Sequence, residues 1–112
     1  MEKQTQIIRK PLLTADLGKR QVTQVEIKEI TLEPGQKSGK HLHPCAVTGY
    51  IAKGEVAFQI EGQQEIIISA GGAFYEPAGQ TILKFDNNSN EQPMTFIAFY
   101  LLDGDQDLIT ML

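Results

Sequence analysis

The chain has 112 residues, of which 41% are hydrophobic and 21% charged, which is enough material for one domain with a hydrophobic core and excludes wholesale disorder. The formal net charge is −4, with 14 acidic residues against 10 scattered basic ones, which argues against nucleic acid as a partner. The longest apolar run, residues 96–102, is too short to span a membrane, residues 1–6 lack the apolar core of a signal peptide, and the single cysteine excludes an internal disulfide. We therefore expect a cytoplasmic protein with no membrane partner.

The first predicted element is a strand in which the apolar residues change phase. Val25 and Ile27 share one phase of a period-two alternation, and Ile30 and Leu32 share the opposite one. Since successive side chains of a strand point to opposite faces, this slip predicts a bulge or a strand that changes its buried face.

Further short strands follow at the spacing typical of an all-β domain. Residues 56–60 and 64–68 form a predicted hairpin around Gly62, which is free to take a positive φ. Other strands are predicted at 73–76, 81–85 and 94–102, the last being the most apolar and expected to be central and buried on both faces. The pattern predicts a single all-β domain over residues 1–112, a sandwich or barrel, with residues 1–6 mobile and 103–112 as a C-terminal tail that packs on its own domain or on a partner.

The two histidines of the chain form an H-x-H pair, His41 and His43. On a strand, residues two apart point to the same side with Cβ atoms about 7 Å apart, so both imidazoles can converge on one metal ion. The pair by itself is a weak signal and favours two exposed or hydrogen-bonded histidines, so the surrounding residues must decide.

Two segments around this pair resemble the motifs of a known family. Residues 35–43 read GQKSGKHLH and are followed by Gly54, and together they resemble the first motif of the cupins, G-x5-H-x-H-x3-E-x6-G. Residues 71–79 read GGAFYEPAG and resemble the start of the second cupin motif, G-x5-P-x-G-x2-H-x3-N. The resemblance to small single-domain cupins implies a jelly-roll barrel (a double-stranded β-helix), commonly dimeric, with its site inside the barrel.

The chain departs from this family pattern at two positions that usually bind metal. Val47 stands where the first motif has glutamate, and Ile82 stands where the second has histidine. A divalent transition metal (Zn, Fe, Ni or Mn) held by His41 and His43 alone would be bound weakly unless other groups complete its coordination shell. Val47 and Ile82 would also make the cavity more apolar, which favours a small apolar or aromatic ligand.

Four further residues are candidates for the site, each with a structural alternative. Glu76 would restore a set of two histidines and one carboxylate if it points inward, or it is a surface or dimer-contact residue. Cys45 would offer a thiolate suited to zinc, or it is a buried inert thiol. The hydroxyls of Tyr50 and Tyr75 would line the cavity, unless these rings serve only packing.

A dimer contact is predicted from the strand that contains Ile82. If Ile82 faces inward, Lys84 shares its phase, and Leu83 and Phe85 face outward as an exposed apolar pair. Exposed apolar pairs of this kind usually mark a subunit contact, so we expect a homodimer.

The sequence leaves three functions open. The chain is a metal-dependent enzyme on a small molecule (a dioxygenase, isomerase or decarboxylase), a non-catalytic small-molecule binding or sensing barrel, or a degenerate dimeric scaffold. The cupin resemblance accommodates so many chemistries that it does not choose among them.

Overall fold

In a computed structural model, which describes residues 6–112, the chain forms nine β-strands and none of the described residues is helical. The strands are β1 (Gln24–Leu32), β2 (His41–Leu42), β3 (Ala46–Lys53), β4 (Glu55–Ile60), β5 (Ile66–Ser69), β6 (Ala73–Glu76), β7 (Ile82–Asn87), β8 (Met94–Leu102) and β9 (Thr110–Met111). Across residues 6–112 there is accordingly no helix long and apolar enough to cross a membrane. The expectation that residues 1–6 are mobile falls almost wholly on residues 1–5, which lie outside the described range.

The strands make two antiparallel sheets that enclose the core. One sheet has the strand order β1-β8-β3-β6 and the other the order β5-β4-β7-β2-β9. Phe58, Phe74, Phe85 and Phe96 meet between the sheets, with neighbouring ring centroids 4.6–6.3 Å apart and tilted or edge-to-face. The predicted all-β fold is therefore confirmed.

Strand β8 lies at the centre of its sheet but is not buried on both faces. It pairs with β1 on one side and β3 on the other, as its apolar sequence predicts. Its alternate residues Met94, Phe96, Ala98, Tyr100 and Leu102 are buried, whereas the residues between them are only half-buried. The prediction of two buried faces is wrong because the outer face of this sheet has no second sheet packed against it.

Strand β1 contains neither of the irregularities predicted from its change of phase. Its register with β8 is continuous from Gln24 opposite Leu102 to Leu32 opposite Met94. Ile30 and Leu32 share the inner face, while Val25 and Ile27 lie on the outer face and are 53% and 59% exposed. The prediction fails because β1 is an edge strand, on which outward apolar residues are tolerated without a change of face.

Strand β7 contains a bulge that reverses the predicted orientation of Lys84 and Phe85. Gln59 of β4 lies opposite Lys84 but the next residue, Ile60, lies opposite Ile82, so Leu83 is the extra residue. Because the bulge shifts the alternation by one residue, both Ile82 and Phe85 point into the core and are 0% and 3% exposed. The predicted exposed pair of Leu83 and Phe85, and the dimer contact placed there, are wrong.

The C-terminal tail packs on its own chain. Strand β9 pairs with β2, with Met111 opposite His41 and Thr110 opposite Leu42, and Leu108 packs against the core. The backbone N–H of Leu112 also donates a hydrogen bond to the carbonyl of Lys40, at 3.0 Å. These contacts place the tail along the strand that carries the histidine pair.

Candidate metal centre

Three buried polar side chains, His41, His43 and Glu76, converge between the two sheets. Their exposed fractions are 3%, 5% and 3%. Oε2 of Glu76 lies 2.5 Å from Nε2 of His43 and 3.6 Å from Nε2 of His41. The two imidazole rings meet edge to face, with centroids 5.0 Å apart. The ligand atoms of all three residues lie within 4.8 Å of one another, so the H-x-H pair and the predicted carboxylate form one cluster.

The orientation of Glu76 follows from its register in the sheet. Strand β6 pairs with β3 so that Glu76 lies opposite Val47, and β3 pairs with β8 so that Val47 lies opposite Tyr100. Directly opposed residues of antiparallel strands point to the same face, so all three side chains face the interior. This packing requires Gly49, because a Cβ there would lie 2.3 Å from both the Phe74 ring and the carbonyl oxygen of Ile97.

Both imidazoles are held by hydrogen bonds from their Nδ1 atoms. The Nδ1 of His41 lies 2.7 Å from the carbonyl of Gly39, and that of His43 lies 2.6 Å from the carbonyl of Leu108. A carbonyl oxygen only accepts, so each Nδ1 carries the hydrogen and donates it. In the neutral rings, each Nε2 is therefore a bare lone pair aimed towards Glu76, which is the arrangement typical of metal-binding histidines.

Without a cation beside it, the buried carboxylate of Glu76 has no compensating positive charge among the described residues. Oε2 of Glu76 is buried and has no hydrogen-bond partner in the part of the chain that the structure describes. Burial alone would lower the pKa of His41, but the attraction of its protonated ring to Glu76, together with its hydrogen bond to Gly39, outweighs burial and raises this pKa above 6.5. Burial alone would raise the pKa of Glu76, but the contacts with both histidines lower it below 4.5. The carboxylate thus requires either a proton on a histidine or a metal ion beside it.

The donor set fits a transition-metal ion. Two atoms that coordinate the same ion at about 2.0–2.2 Å lie about 3 Å apart. This is close to the 3.6 Å and 2.5 Å that separate Oε2 of Glu76 from the Nε2 atoms of His41 and His43. Two imidazoles and one carboxylate form a set that leaves further coordination positions open for a ligand. The three residues would therefore hold the metal, with Gly39 and Leu108 orienting the two rings.

Cys45 does not join this cluster. The chain bends at Pro44 and Cys45 instead of continuing the strand, so the thiol leaves the side that His41 and His43 share. Cys45 is 0% exposed, and burial raises the pKa of its thiol above 9.0. A protonated, buried thiol is a poor ligand, and the structure favours the alternative of an inert core residue.

A cavity of about 260 Å³ adjoins the three polar residues. Its walls are mainly apolar and its lining residues are Ile30, Leu32, Gln36, Lys37, Ser38, His41, His43, Val47, Phe74, Glu76, Phe85, Phe96, Ala98, Tyr100 and Ile109. Of the predicted cavity residues, Val47 is on the wall, whereas Ile82 is a buried core residue that does not line the cavity. The cavity joins the candidate ligands to a space large enough for a small molecule.

The structure places a different tyrosine in the cavity from the two predicted. Tyr50 is 39% exposed and Tyr75 donates a hydrogen bond from its hydroxyl to the carbonyl of Asp16, so both lie on the outer face of their sheet. Tyr75 follows inward-facing Phe74 and precedes inward-facing Glu76, which forces it outward.

Tyr100 is the cavity tyrosine, and its ring lies 6.0 Å from that of His43. Burial and then the charge of Glu76 raise its pKa above 10.0, so its hydroxyl is a proton donor at neutral pH. The alternation of residues along β8 could have identified it, since Tyr100 shares the phase of Phe96 and Ala98.

The family model of the cupin domain matches residues 28–100. A comparison with curated protein sequences gives no significant match.

Several solved structures share the fold. A structure of DMSP lyases superimposes with a TM-score of 0.67 at 16% identity, covering 79% of this chain and 44% of that one. An oxalate oxidase in complex with the substrate analogue glycolate has a TM-score of 0.67 at 21% identity, covering 79% of this chain and 46% of that one. An RmlC-like cupin family protein with a double-stranded β-helix fold, from Methanocaldococcus jannaschii, has a TM-score of 0.61 at 27% identity, covering 69% of each chain. The chain spans less than half the length of the first two, and at such identities these two show the fold alone.

Proposed function

The chain belongs to the cupin domain family and has its double-stranded β-helix fold, and we propose that it binds a divalent transition-metal ion through His41, His43 and Glu76. We further propose that the adjoining cavity binds or transforms a small molecule with an apolar or aromatic body. The observation that carries the proposal is the convergence of two Nε2 lone pairs on a buried carboxylate oxygen that has no hydrogen-bond partner among the described residues. A metal ion satisfies all three donors at once.

Different residues of the chain would have different roles at such a site. The histidines and Glu76 would hold the ion, which supplies Lewis-acid polarisation of a bound oxygen or nitrogen atom. The hydroxyl of Tyr100 would donate a hydrogen bond to the ligand, since its raised pKa keeps it protonated. Phe74, Phe85 and Phe96 would exclude water from the ligand's apolar part.

Metal analysis of tag-free protein tests this proposal. We expect about one zinc, iron, nickel or manganese ion per chain, and a loss of the ion in His41→Ala, His43→Ala and Glu76→Gln. Cys45→Ala is the matched control, because Cys45 is equally buried but outside the cluster, and it should retain the metal. A metal-free protein that takes up none of these ions at pH 8 would overturn the proposal.

A non-catalytic binding or sensing barrel is the second candidate function. Val47 on the cavity wall and Ile82 in the core make the interior more apolar than the cupin motifs do, which favours binding over bond-making. The DMSP lyase and the oxalate oxidase share only the fold with this chain, so they do not decide between turnover and binding. Turnover of a bound ligand that is lost in His41→Ala and His43→Ala would establish the enzyme.

We also propose a homodimer that uses the outer face of the β1-β8-β3-β6 sheet. Val25 and Ile27 are exposed there, and the N-terminal segment ahead of β1 carries Ile7 and Ile8 at 73% and 91% exposure. The radius of gyration is 15.7 Å, against about 13 Å for a compact chain of this length, so the chain is more extended than a compact domain of its size. A second copy would cover the N-terminal segment and the apolar face reciprocally about a two-fold axis.

Light scattering on surface variants tests the dimer. The double variant Val25→Ser and Ile27→Ser should be monomeric, whereas Ile66→Ser with Ile67→Ser on edge strand β5 should leave the mass unchanged. Ile66 and Ile67 are matched controls because they are 49% and 50% exposed on the other sheet. A monomeric parent protein, or a dimer that survives the first pair of changes, would refute the interface. A cytoplasmic location and the absence of nucleic-acid and membrane partners stay predictions from composition.

A further inference from the structure

The rim of the cavity carries a lysine on a firmly anchored loop. Lys37 lines the cavity in the connection between β1 and β2. On one side of it, the carbonyl of Gln36 accepts a hydrogen bond from the N–H of Asn87, at 3.0 Å. On the other, the N–H of Ser38 donates to Oδ1 of Asp86, at 3.1 Å, and Oγ of Ser38 accepts from the N–H of Phe85, at 3.2 Å. The backbone of Lys37 is therefore pinned to β7 at the mouth of the cavity.

Among the residues that the structure describes, Lys37 is the one lysine or arginine on the cavity wall, and Glu76 is the one carboxylate there. Within residues 6–112, the lysine ion pairs are those of Lys28 with Glu26 and of Lys84 with Glu65. Asp86 and Glu65 share a neighbouring surface depression with Lys37 but do not lie within 4.0 Å of its ammonium group. The ammonium group is thus free to pair with a ligand.

The charge of the proposed metal site also favours a ligand that carries negative charge. Two neutral imidazoles and one carboxylate compensate only one of the two charges of a divalent ion, so one positive charge stays uncompensated in a mainly apolar cavity. Lys37 adds a second positive charge at the rim, where it is exposed to solvent, so the charge that lacks compensation is the one inside the cavity. Uncompensated charge in such surroundings is unfavourable, and a ligand that carries negative charge relieves it.

We propose that the cavity selects a small monocarboxylate with a compact apolar or aromatic body, and that Lys37 is the residue that recognises the negative charge. This inference rests on the proposed metal site for the buried positive charge, which one carboxylate neutralises, and on the exposed ammonium group of Lys37 for recognition at the rim. The apolar body would lie against Phe74, Phe85 and Phe96, and a neutral molecule of the same shape would satisfy only these contacts.

Binding of a charged and a neutral isostere tests the inference. Benzoate and benzamide have nearly the same shape, and their affinities for the zinc-loaded protein can be measured by calorimetry. We expect benzoate to bind at least about tenfold more tightly than benzamide. Lys37→Gln should weaken benzoate binding about threefold to tenfold, as for a partly exposed charge pair, and leave benzamide within about twofold.

Lys40→Gln is the matched control, because Lys40 belongs to the same loop but does not line the cavity. It should leave both affinities unchanged. Equal affinities for benzoate and benzamide, no binding of either, or a Lys37→Gln variant indistinguishable from the parent would overturn the inference.

Metal content measured on the same samples separates this inference from the proposed function. Zinc uptake without a preference for benzoate would refute the carboxylate ligand and leave the metal site standing. A preference for benzoate that depends on Lys37 in a protein that takes up no metal would retain Lys37 as the anion-recognising residue and refute the metal site.

Discussion

Nδ1 of His43 donates a hydrogen bond to the carbonyl oxygen of Leu108, 65 residues further along the chain. The C-terminal tail thereby orients one of the three candidate metal ligands, and its Ile109 closes part of the cavity. Strand β9 holds the tail in place beside the strand that begins with His41. The candidate centre is therefore completed only when the last residues of the chain are docked.

Removal of residues 108–112 should weaken metal binding. Contacts that orient a metal-bound histidine typically contribute about 10-fold to 100-fold to metal affinity, and we expect a loss in this range. Competition with a chromophoric chelator measures it. Deletion of Leu112 alone removes the hydrogen bond to Lys40 but keeps Leu108, and it should bind metal like the parent. An unchanged affinity in the longer truncation would show that the tail does not support His43.

Glu76→Gln should have opposite effects on metal binding and on the stability of the metal-free protein. The amide is a weaker ligand than the carboxylate, so metal affinity should fall. In the metal-free protein the amide N–H can donate to Nε2 of His43, which replaces a contact between two acceptors. We expect the free energy of unfolding at pH 8 to rise by about 1–3 kcal/mol. Urea unfolding of metal-free protein measures it, and a less stable variant would contradict the prediction.

The stability that this site gives the metal-free protein should fall as the pH rises above 6.5, whereas the stabilisation by bound metal should grow. The raised pKa of His41 contributes stability that is complete below pH 6.5 and is lost as the pH rises through the folded-state pKa. The lowered pKa of Glu76 contributes stability that is present above pH 4.5 and is lost as the pH falls through its folded-state value. For the metal-free form, this site therefore stabilises most between pH 4.5 and pH 6.5.

Above pH 6.5, the stabilisation by bound metal should increase with pH. A metal ion requires deprotonated histidines, so the increase in melting temperature on adding zinc should grow from pH 6 to pH 8. Thermal unfolding with and without zinc across this range provides the measurement. The same increase at every pH would mean that zinc does not compete with protons at His41.

Phe85→Ala and Leu83→Ala should differ strongly in stability, because the bulge in β7 places only Phe85 in the core. Phe85 is 3% exposed and contacts the rings of Phe58, Phe74 and Phe96, so its removal should lower the free energy of unfolding by about 3–5 kcal/mol. Leu83 is half-buried and lies outside that cluster, and its removal should have less than half this effect. Similar values for the two variants would argue against the bulge.

Local patterns in the sequence were enough to predict β1 and β4 to β8, the H-x-H pair and the family motifs around it, but not β3 or β9. Period-two alternation and the spacing of glycine and proline are local signals, so they can be recognised without knowing which strands pair. The two unusual positions, Val47 and Ile82, were also visible, since a missing donor can be recognised once the motif is aligned. What these signals specify is which residues alternate and where the chain turns.

Which phase of an alternation faces the interior was decided only by tertiary structure. Glu76 and Tyr75 are neighbours in one strand, and the register with β3 turns Glu76 inward and Tyr75 outward. A single extra residue, Leu83, moved Phe85 from the predicted surface into the core. The hydrogen bond from His43 to Leu108 joins residues that no local pattern connects. The physical reason is that the face of a strand that becomes buried depends on what packs against it, and that packing depends on partners far away in the chain.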